Sequence, residues 1–307
     1  MVGLALDGSR AVAVRIGEDG AVLSHAAADV EGSLAAAAER ALAGVGVDPA
    51  GGAIGVAAST PDAAVIASAV SALAPRLGGA PPRITPSGTA AAVAEAWVGA
   101  ARGVRDLAFF GVGEHTVAGL VRDGTPVAGS RGRAASVAWL ALNPVEREDY
   151  RRSGCLEAEV AAAGIVRRLI WRIKAGDRSR ILDTVGDDLS AITIDLVLEA
   201  ARSGDGVSIS VVRDTAKYLG MAAANLVAIA DPEMLVVGGI MADAADLLLE
   251  PVRAEIGRRL PKPMMDALTI VPAALGSNAA AIGAARIAMS AQTPGVPAAR
   301  TLRGGAE

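Results

Sequence analysis

Two Asp-Gly pairs set the plan of this chain. Asp19-Gly20 and Asp123-Gly124 each lie between short, apolar, β-branched runs, a pattern typical of two-residue hairpin turns. The first turn belongs to an opening antiparallel meander, followed by a helix with Ser33 as its N-cap and by a buried strand in "GGAIGVAAS". A strand in "DLAFFGVG" starts the same order again before the second turn. The sequence therefore predicts two α/β units of one plan.

This repeat predicts two domains that face each other across a cleft, which is a favoured place for ligands. We place the first domain at residues 1–107 and the second at 108–277, with a helix at 278–290 packing back on the first. The Gly/Pro-rich tail, residues 291–307, is expected to be disordered.

Three further local predictions concern the second half. "SVAWLAL" is interpreted as a strand, and long helices are expected from Cys155 and around Leu189 and Val211. Asp243 is expected to cap the helix in "AADLLLEPVRAEI".

Composition excludes several classes of protein. The 307 residues are 52% hydrophobic, largely through alanine and valine, and only 2% aromatic, and no apolar run is long enough for a membrane span. No signal peptide is recognisable at the start, so a cytoplasmic protein is expected. The single cysteine, Cys155, with only His25 and His115 beside it, disfavours a disulfide or a structural zinc site.

Charge gives no sign of a nucleic-acid partner. The net charge is -4, and the basic residues are scattered except in "RRLIWRIKAGDRSR" at residues 167–180. We interpret this run as the solvated face of a helix, so nucleic-acid binding by this chain alone is disfavoured.

Five stretches together resemble a known family. They are "LALDGSRAVAVRIGEDGAVL", "TAAAVAEAWVGAARG", "GCLEAEVAAAGI", "DPEMLVVGGI" and "IVPAALGSNAAAIGAARIA". In this order, over residues 2–290, the chain resembles the ROK family (repressors, open reading frames and sugar kinases) of the actin-like ATPase superfamily. The resemblance implies two actin-like, ribonuclease H-like domains with mixed sheets flanked by helices, and a homodimer formed through the second domain. It also implies a hexose in the cleft and, in the kinases, transfer of the γ-phosphate of ATP to it.

The catalytic residues of the kinases are missing from the matching positions. In the family, Asn-Asp-x-Asn precedes the central helix, and its Asp is the general base; residues 87–90 stand there, with Gly88 in the base position. Removing a positioned base typically costs about 10²- to 10⁴-fold in rate. Hydroxyls and free amides at Ser87 and Thr89 still suit a ligand. The cleft candidates are Ser59, Ser87, Gly88, Thr89, Ser136, Trp139 and Glu157.

The nucleotide site is reduced to remnants. The first phosphate loop, Asp-x-Gly-Gly-Thr-Lys in the family, matches residues 5–10, where Asp7 is displaced by two positions and could face the same side. In the second loop, Glu114 would repel phosphate. Gly238-Gly239 either lets a nucleotide base approach the backbone or is simple turn chemistry. The remnants are Asp7, Gly8, Ser9, Arg10, Gly113, Glu114, Gly238 and Gly239.

The sugar-holding and zinc motifs are lost as well. The family's Glu-x-Gly-His matches residues 136–139, where Ser136 and Trp139 replace Glu and His. Trp139 either stacks on a ligand or fills the vacated hole as core, and we favour filling. The zinc cluster is reduced to Gly154 and Cys155, and one thiolate cannot close a tetrahedral site. Cys155 is interpreted as a helix-entry residue packed on the core.

Three hypotheses follow for function. The favoured one is a catalytically inactive ROK-like protein that senses a sugar or other small molecule, or regulates. The second is an ATP-dependent sugar kinase with a displaced site using Asp7 and Glu95 or Glu157; only this one calls for ATP and magnesium, and none calls for zinc. The third is a structural partner with a closed cleft. Direct DNA binding is doubtful, because ROK repressors carry a helix-turn-helix ahead of the first strand, where this chain begins.

Overall fold

The computed structural model describes residues 1–46, 54–59, 63–74, 84–186 and 188–292. The strands are β1 (Val2–Leu6), β2 (Arg10–Ile16), β3 (Val22–Asp29), β4 (Ile54–Ala58), β5 (Ile84–Pro86), β6 (Leu107–Val112), β7 (Thr116–Arg122), β8 (Thr125–Pro126), β9 (Met234–Gly239) and β10 (Thr269–Pro272). The helices of the first half are α1 (Leu34–Gly44), α2 (Ala63–Leu73) and α3 (Ser87–Val98). Those of the second half are α4 (Glu148–Ser153), α5 (Cys155–Val160), α6 (Ala162–Lys174), α7 (Ile181–Val185), α8 (Ile194–Arg202), α9 (Gly206–Ala230), α10 (Ile240–Asp243), α11 (Ala245–Gly257), α12 (Lys262–Ala267) and α13 (Ala279–Gln292).

Two mixed sheets share one topology. The first has the order β3-β2-β1-β4-β5 and the second β8-β7-β6-β9-β10. In each, an antiparallel meander of three strands is extended by two parallel strands beside its first strand. Helices flank both sheets, so the fold is the predicted α/β arrangement of two units of the same plan.

Local turn and cap chemistry explains the meanders. Asp123 and Gly124 both have positive φ, 53° and 74°, as a type I′ hairpin turn requires. At the other predicted turn, the amide of Gly17 donates to the carbonyl of Ala21 at 2.9 Å. The Ser33 hydroxyl accepts from the amide of Ala36 at the start of α1. The Asp123-Gly124 turn and the Ser33 cap are confirmed. The first hairpin forms as well, but its loop has three residues, 18–20, and only Gly20 has positive φ, so the two-residue turn predicted there was wrong.

The last helix returns to the first sheet. α13 packs against α3, β1 and β4. Its backbone lies so close to theirs that two of the contact positions have no room for a side chain. A Cβ built on Gly283 would lie 1.7 Å from the carbonyl oxygen of Ala90, and one on Gly3 would lie 1.9 Å from that of Ala281. Only glycine allows such approach. The helix extends to Gln292, and the rest of the predicted tail, 293–307, lies outside the described residues.

Four further local predictions were wrong. Leu189 lies in a single 3₁₀ turn, Leu189–Ala191, and not in a long helix. "SVAWLAL" is not a strand: Val137–Trp139 form one 3₁₀ turn, and the segment pairs with no sheet. Asp243 is the last residue of α10, and the N-cap position of α11 is Ala244. Cys155 begins only the six-residue α5, because Ala161 has an extended backbone conformation that separates α5 from α6.

The basic run is not a simple solvated face. Within α6, Arg167 pairs with Asp149 at 2.9 Å, and Arg168, whose side chain is only 14% exposed, pairs with Glu159 at 3.3 Å. The spacing of charges on one helix could not show these partners, since they lie on α4 and α5. Among the described residues, every helix is too short or too polar to cross a bilayer.

Candidate functional site

A cavity of about 350 Å³, here called the cleft cavity, is lined by both units. The start of α3 and the end of β4 contribute to it from the first unit, and β7 and the segment 132–139 from the second. Its polar and charged lining residues are Ser59, Ser87, Thr116, Arg133, Ser136, Ser153 and Glu157, and its larger apolar ones are Ile66, Ile84, Val117 and Trp139.

The structure brings most of the predicted cleft residues together. Ser59, Ser87, Gly88, Ser136, Trp139 and Glu157 line the cavity. Thr89 does not line it and is buried within α3. Trp139 is 55% exposed, so the interpretation that it fills a hole in the core was wrong. The hydroxyl of Ser136 donates to the carbonyl of Arg133 at 2.8 Å, which ties the segment to itself.

Gly88 contributes only backbone to the cavity. A Cβ built on it would lie 2.2 Å from the carbonyl oxygen and 2.6 Å from the nitrogen of Ala118 in β7. The reverse contact is equally close, with a Cβ on Gly119 2.2 Å from the carbonyl oxygen of Gly88. The prediction that position 88 is a vacant base position therefore needs correction: in this arrangement, no side chain fits there. Ser87, beside it at the helix start, also lines the cavity.

Glu157 is held by groups of its own chain. One carboxylate oxygen lies 3.2 Å from His115 Nδ1, and the other accepts from the Thr116 amide at 2.8 Å. The residue is buried, and just after α5 the Ala162 amide donates to the carbonyl of Gly113 in the β6–β7 turn at 3.0 Å. Hydrogen bonding to Glu157 raises the pKa of His115 above its ordinary value of 6.5, against the opposing effect of burial. The charge of Glu157 is thus paired inside the wall of the cavity.

This pair predicts a pH-dependent stability. Because the pKa of His115 is higher in the folded protein, protonated His115 stabilises the fold below pH 6.5, and this contribution is lost as the pH rises through the folded pKa. We expect the free energy of unfolding, measured with urea between pH 5.5 and 8.5, to fall over that window. The fall should shrink in His115→Gln and persist in the control His25→Gln, an exposed histidine of β3. Equal slopes in the two variants would contradict the assignment.

The residues that match the family's first phosphate loop form a tight turn held by Asp7. Asp7 Oδ1 accepts from the amides of Ser9 and Arg10, at 2.9 and 2.6 Å, and from the Ser9 hydroxyl at 3.1 Å. Arg10 pairs with Asp29 at 3.5 Å. A Cβ built on Gly8 would lie 3.4 Å from His115 Nε2, so this loop faces the β6–β7 turn. That turn carries the other remnants, Gly113 and Glu114.

The Gly-Gly pair after β9 is explained by packing. A Cβ on Gly239 would lie 2.0 Å from the carbonyl oxygen of Val112, and one on Gly238 would lie 2.6 Å from the ring of Phe109. Both glycines therefore admit the neighbouring strand β6, which accounts for them without a nucleotide base.

Glu95 is not part of the cavity. It is fully buried, and its oxygens accept from the amides of Ala100, Ala274 and Leu275 at 2.7 to 3.2 Å. It joins the end of α3 to the segment before α13, so it cannot serve a displaced kinase site as the sequence hypothesis suggested.

The residues do not fit a zinc site. Cys155 is buried beside Tyr150 and Ala158, and within the described part of the chain no group of three or more His, Cys, Asp or Glu side chains is placed to hold a metal. Thr116, Arg133 and His115 were not predicted as residues of the site. For Thr116 the available signal was its place at the start of β7, the strand that leads into the predicted Asp123-Gly124 turn and forms one wall of the cavity.

A profile of the ROK family matches residues 58–291. The chain belongs to the ROK family. It is 31% identical over 196 residues to the glucokinase of Halalkalibacterium halodurans, a match of 63% of this chain and 59% of that one. It is 27% identical over 206 residues to the N-acetylglucosamine repressor of Shigella flexneri, 67% of this chain and 49% of the repressor. This ROK protein therefore matches about half to three-fifths of the length of these relatives.

The fold of this ROK protein is found in a solved kinase structure. A ROK family glucokinase from Streptomyces griseus, in complex with glucose and AMPPNP, superposes with a TM-score of 0.79 at 24% identity. The superposition covers 94% of this chain and 99% of that one. It confirms the two-sheet actin-like fold predicted from the sequence.

Proposed function

We propose that this protein is a catalytically inactive ROK family member that binds a sugar-sized molecule in the cleft cavity and acts as a sensor or regulator. The supporting observation is that the carboxylate of Glu157 is hydrogen-bonded within its own chain. It is the only carboxylate lining the cavity in the described part of the chain, and both of its oxygens are engaged by His115 and Thr116. A general base needs a carboxylate within reach of the proton that it takes.

The cavity itself supports binding. Its volume of about 350 Å³ lies within the range of small-molecule sites, about 300–1,000 Å³. A cavity of this size between the two units argues against the alternative of a structural partner with a closed cleft. Relatives named as a glucokinase and an N-acetylglucosamine repressor make a sugar the first ligand class to test.

The residues present do not fit the phosphates and magnesium of ATP. Asp7, the acid closest to the first loop position, is held in its own turn by three hydrogen bonds that its Oδ1 accepts. Glu114 adds a negative charge to the turn opposite. An anion on such a turn opposes phosphate binding.

The proposal is tested by two measurements on the purified chain. Incubation with ATP, Mg²⁺ and a panel of hexoses should release no hexose-dependent ADP, while thermal denaturation with neutral hexoses, N-acetylhexosamines and their 6-phosphates should show stabilisation. A ligand at a hundred times its dissociation constant adds about 2.7 kcal/mol to stability. ADP release that Glu157→Gln abolishes would instead establish the kinase alternative with Glu157 as its base. No stabilisation by any member of the panel would contradict the proposal.

Trp139 provides a direct test of the binding site. Its ring is half exposed at the cavity, and burial of about 55 Å² of apolar ring surface against a ligand contributes about 1.4 kcal/mol. We expect Trp139→Ala to weaken binding of the highest-affinity panel sugar by up to about tenfold in calorimetry. Trp171, 51% exposed on α6 and outside the cavity lining, is the matched control. Equal losses in the two variants would contradict a site at Trp139.

A further inference from the structure

We propose that Glu95 is a positioning residue for the cleft: its buried carboxylate ties together the two segments that join the units, and so restrains how far the cleft cavity opens. The proposal goes beyond the proposed binding function, because it concerns the protein without a ligand. It rests on where the chain passes between the units, on the hydrogen bonds of Glu95, and on the backbone of the joining segments.

Within the described residues, the chain passes between the two sheets at two places. After α3, residues 99–106 lead to β6 in the second sheet, and after β10, residues 273–278 lead back to α13, which packs on the first sheet. We call these segments the two crossings. A rotation of one unit against the other has to be absorbed by the few residues that connect them. The crossings are therefore the hinge of this molecule.

One carboxylate holds both crossings. Glu95 Oε2 accepts from the amide of Ala100 in the first crossing at 2.7 Å. Its Oε1 accepts from the amides of Ala274 and Leu275 in the second crossing, at 3.1 and 3.0 Å. A rotation that moves one crossing relative to the other lengthens these hydrogen bonds, and their strength falls steeply with poor geometry.

Burial makes these bonds costly to open. Glu95 is 0% exposed, so water does not reach the carboxylate, and an amide that leaves it finds no replacement acceptor there. A buried polar group without a partner is unfavourable, and hydrogen bonds to a carboxylate are among the stronger ones in proteins. Glu95 therefore opposes relative movement of the crossings.

The backbone around this carboxylate suits a hinge. Each crossing contains a glycine with positive φ, Gly103 at 84° and Gly276 at 52°, and a Cβ built on either would meet nothing within 4 Å. At the other end of α3, Gly88 and Gly119 meet backbone to backbone, with no side chains that interlock. Such backbone permits rotation, so a side chain that joins the crossings supplies the restraint.

The cleft cavity lies between the units that this hinge joins. Its walls are the end of β4 and residues 84–88 on one side, and the start of β7 and residues 132–139 on the other. A rotation at the crossings changes the separation of these walls, as in other proteins whose domains close on a ligand. Glu95 thus acts on the cavity from outside its lining.

The test measures the distance between the units directly. Spin labels are attached through Ala43→Cys on α1 and Ala254→Cys on α11, two exposed positions, in a chain that also carries Cys155→Ala. Double electron–electron resonance then gives the distribution of distances between the labels. Glu95→Gln keeps the shape of the side chain but retains one acceptor oxygen, so one crossing is released. We expect it to broaden the distribution at least twofold.

Gly99→Ala disturbs the same carboxylate without replacing it. A Cβ on Gly99 would lie 2.1 Å from Glu95 Oε2, so the added methyl group pushes this oxygen away from the amide of Ala100. Its φ of -104° is open to alanine, so the effect does not come from a positive φ. We expect the same broadening, and this variant tests the proposal with Glu95 intact. Thermal denaturation verifies that each variant is folded.

Asp205→Asn is the matched control. Asp205 is also buried, at 3% exposed, and accepts from the amides of Arg180 and Ser208 at 2.9 Å each, but all three residues lie in the second unit. Asp205→Asn should lower stability and leave the distribution unchanged. Equal broadening in this control, or an unchanged distribution in Glu95→Gln or in Gly99→Ala, would overturn the proposal. The measurement uses no ligand, so its failure leaves the proposed function standing.

Discussion

Substituting aspartate at position 88 destabilises this protein and does not create a kinase. The Cβ of any side chain there would meet the backbone of Ala118 at 2.2 to 2.6 Å, and a backbone atom cannot swing aside as a side-chain tip can. Overpacking of this kind costs about 1–3 kcal/mol, and an aspartate adds the cost of confining a charge. We expect Gly88→Ala to lose about 3 kcal/mol in urea denaturation and Gly88→Asp to lose more, with no hexose-dependent ADP release.

A matched glycine separates this contact from the general effect of replacing glycine. Gly206, the first residue of α9, has nothing within 4 Å of a built Cβ and no positive φ. Gly206→Ala should be neutral or stabilising by up to about 1 kcal/mol. A Gly88→Asp variant that stays as stable as the parent, or that phosphorylates a hexose, would refute the close-packed α3–β7 contact as the reason for glycine.

Glu95 carries the second large effect. Glu95→Ala would leave the amides of Ala100, Ala274 and Leu275 without their acceptor at a fully buried position. Each hydrogen bond to a charged group contributes about 1.5–3 kcal/mol to stability. We therefore expect a loss of at least about 3 kcal/mol in the free energy of unfolding, measured by urea denaturation.

Two further variants test whether the loss in Glu95→Ala comes from the buried carboxylate. Glu95→Gln retains one acceptor oxygen, so its loss should be intermediate. Glu250→Ala, which removes an 81% exposed carboxylate from helix α11, should change stability by less than about 0.5 kcal/mol. Equal effects at positions 95 and 250 would show that the buried carboxylate does not hold α3 to the segment before α13.

The parts of the fold that depend on neighbouring residues were predictable. The Asp123-Gly124 turn, the Ser33 cap and the strand "DLAFFGVG" all follow from turn chemistry or from apolar runs within a few residues. Because the same signals occur twice in the same order, the sequence also predicts that the second sheet repeats the first. "SVAWLAL" shows the limit of this reasoning, since an apolar run has no period that distinguishes a strand from a loop covering a cavity.

The chemistry of the site was less predictable. Gly88, Gly238 and Gly239 read as positions where a function was lost or a nucleotide could approach, yet each admits a backbone or ring from another element. Glu95, two turns into the central helix, was a candidate acid for a displaced kinase site, yet its carboxylate accepts from amides far along the chain. Trp139 reads as core and is half exposed at the cavity. In each case the deciding neighbour is distant in sequence.

The sequence by itself determined the secondary structure of the hairpins, the two-unit plan and the absence of a carboxylate at the start of the central helix. Turn residues, caps and hydrophobic runs act over a few positions, so they can be read along the chain. Only the tertiary structure decided that Glu157 is paired with His115, that position 88 is closed by β7, and that Thr116 and Arg133 reach the same cavity as Ser87. Such facts depend on how α3 and α5 pack against β7, and that packing is set by contacts between residues tens of positions apart.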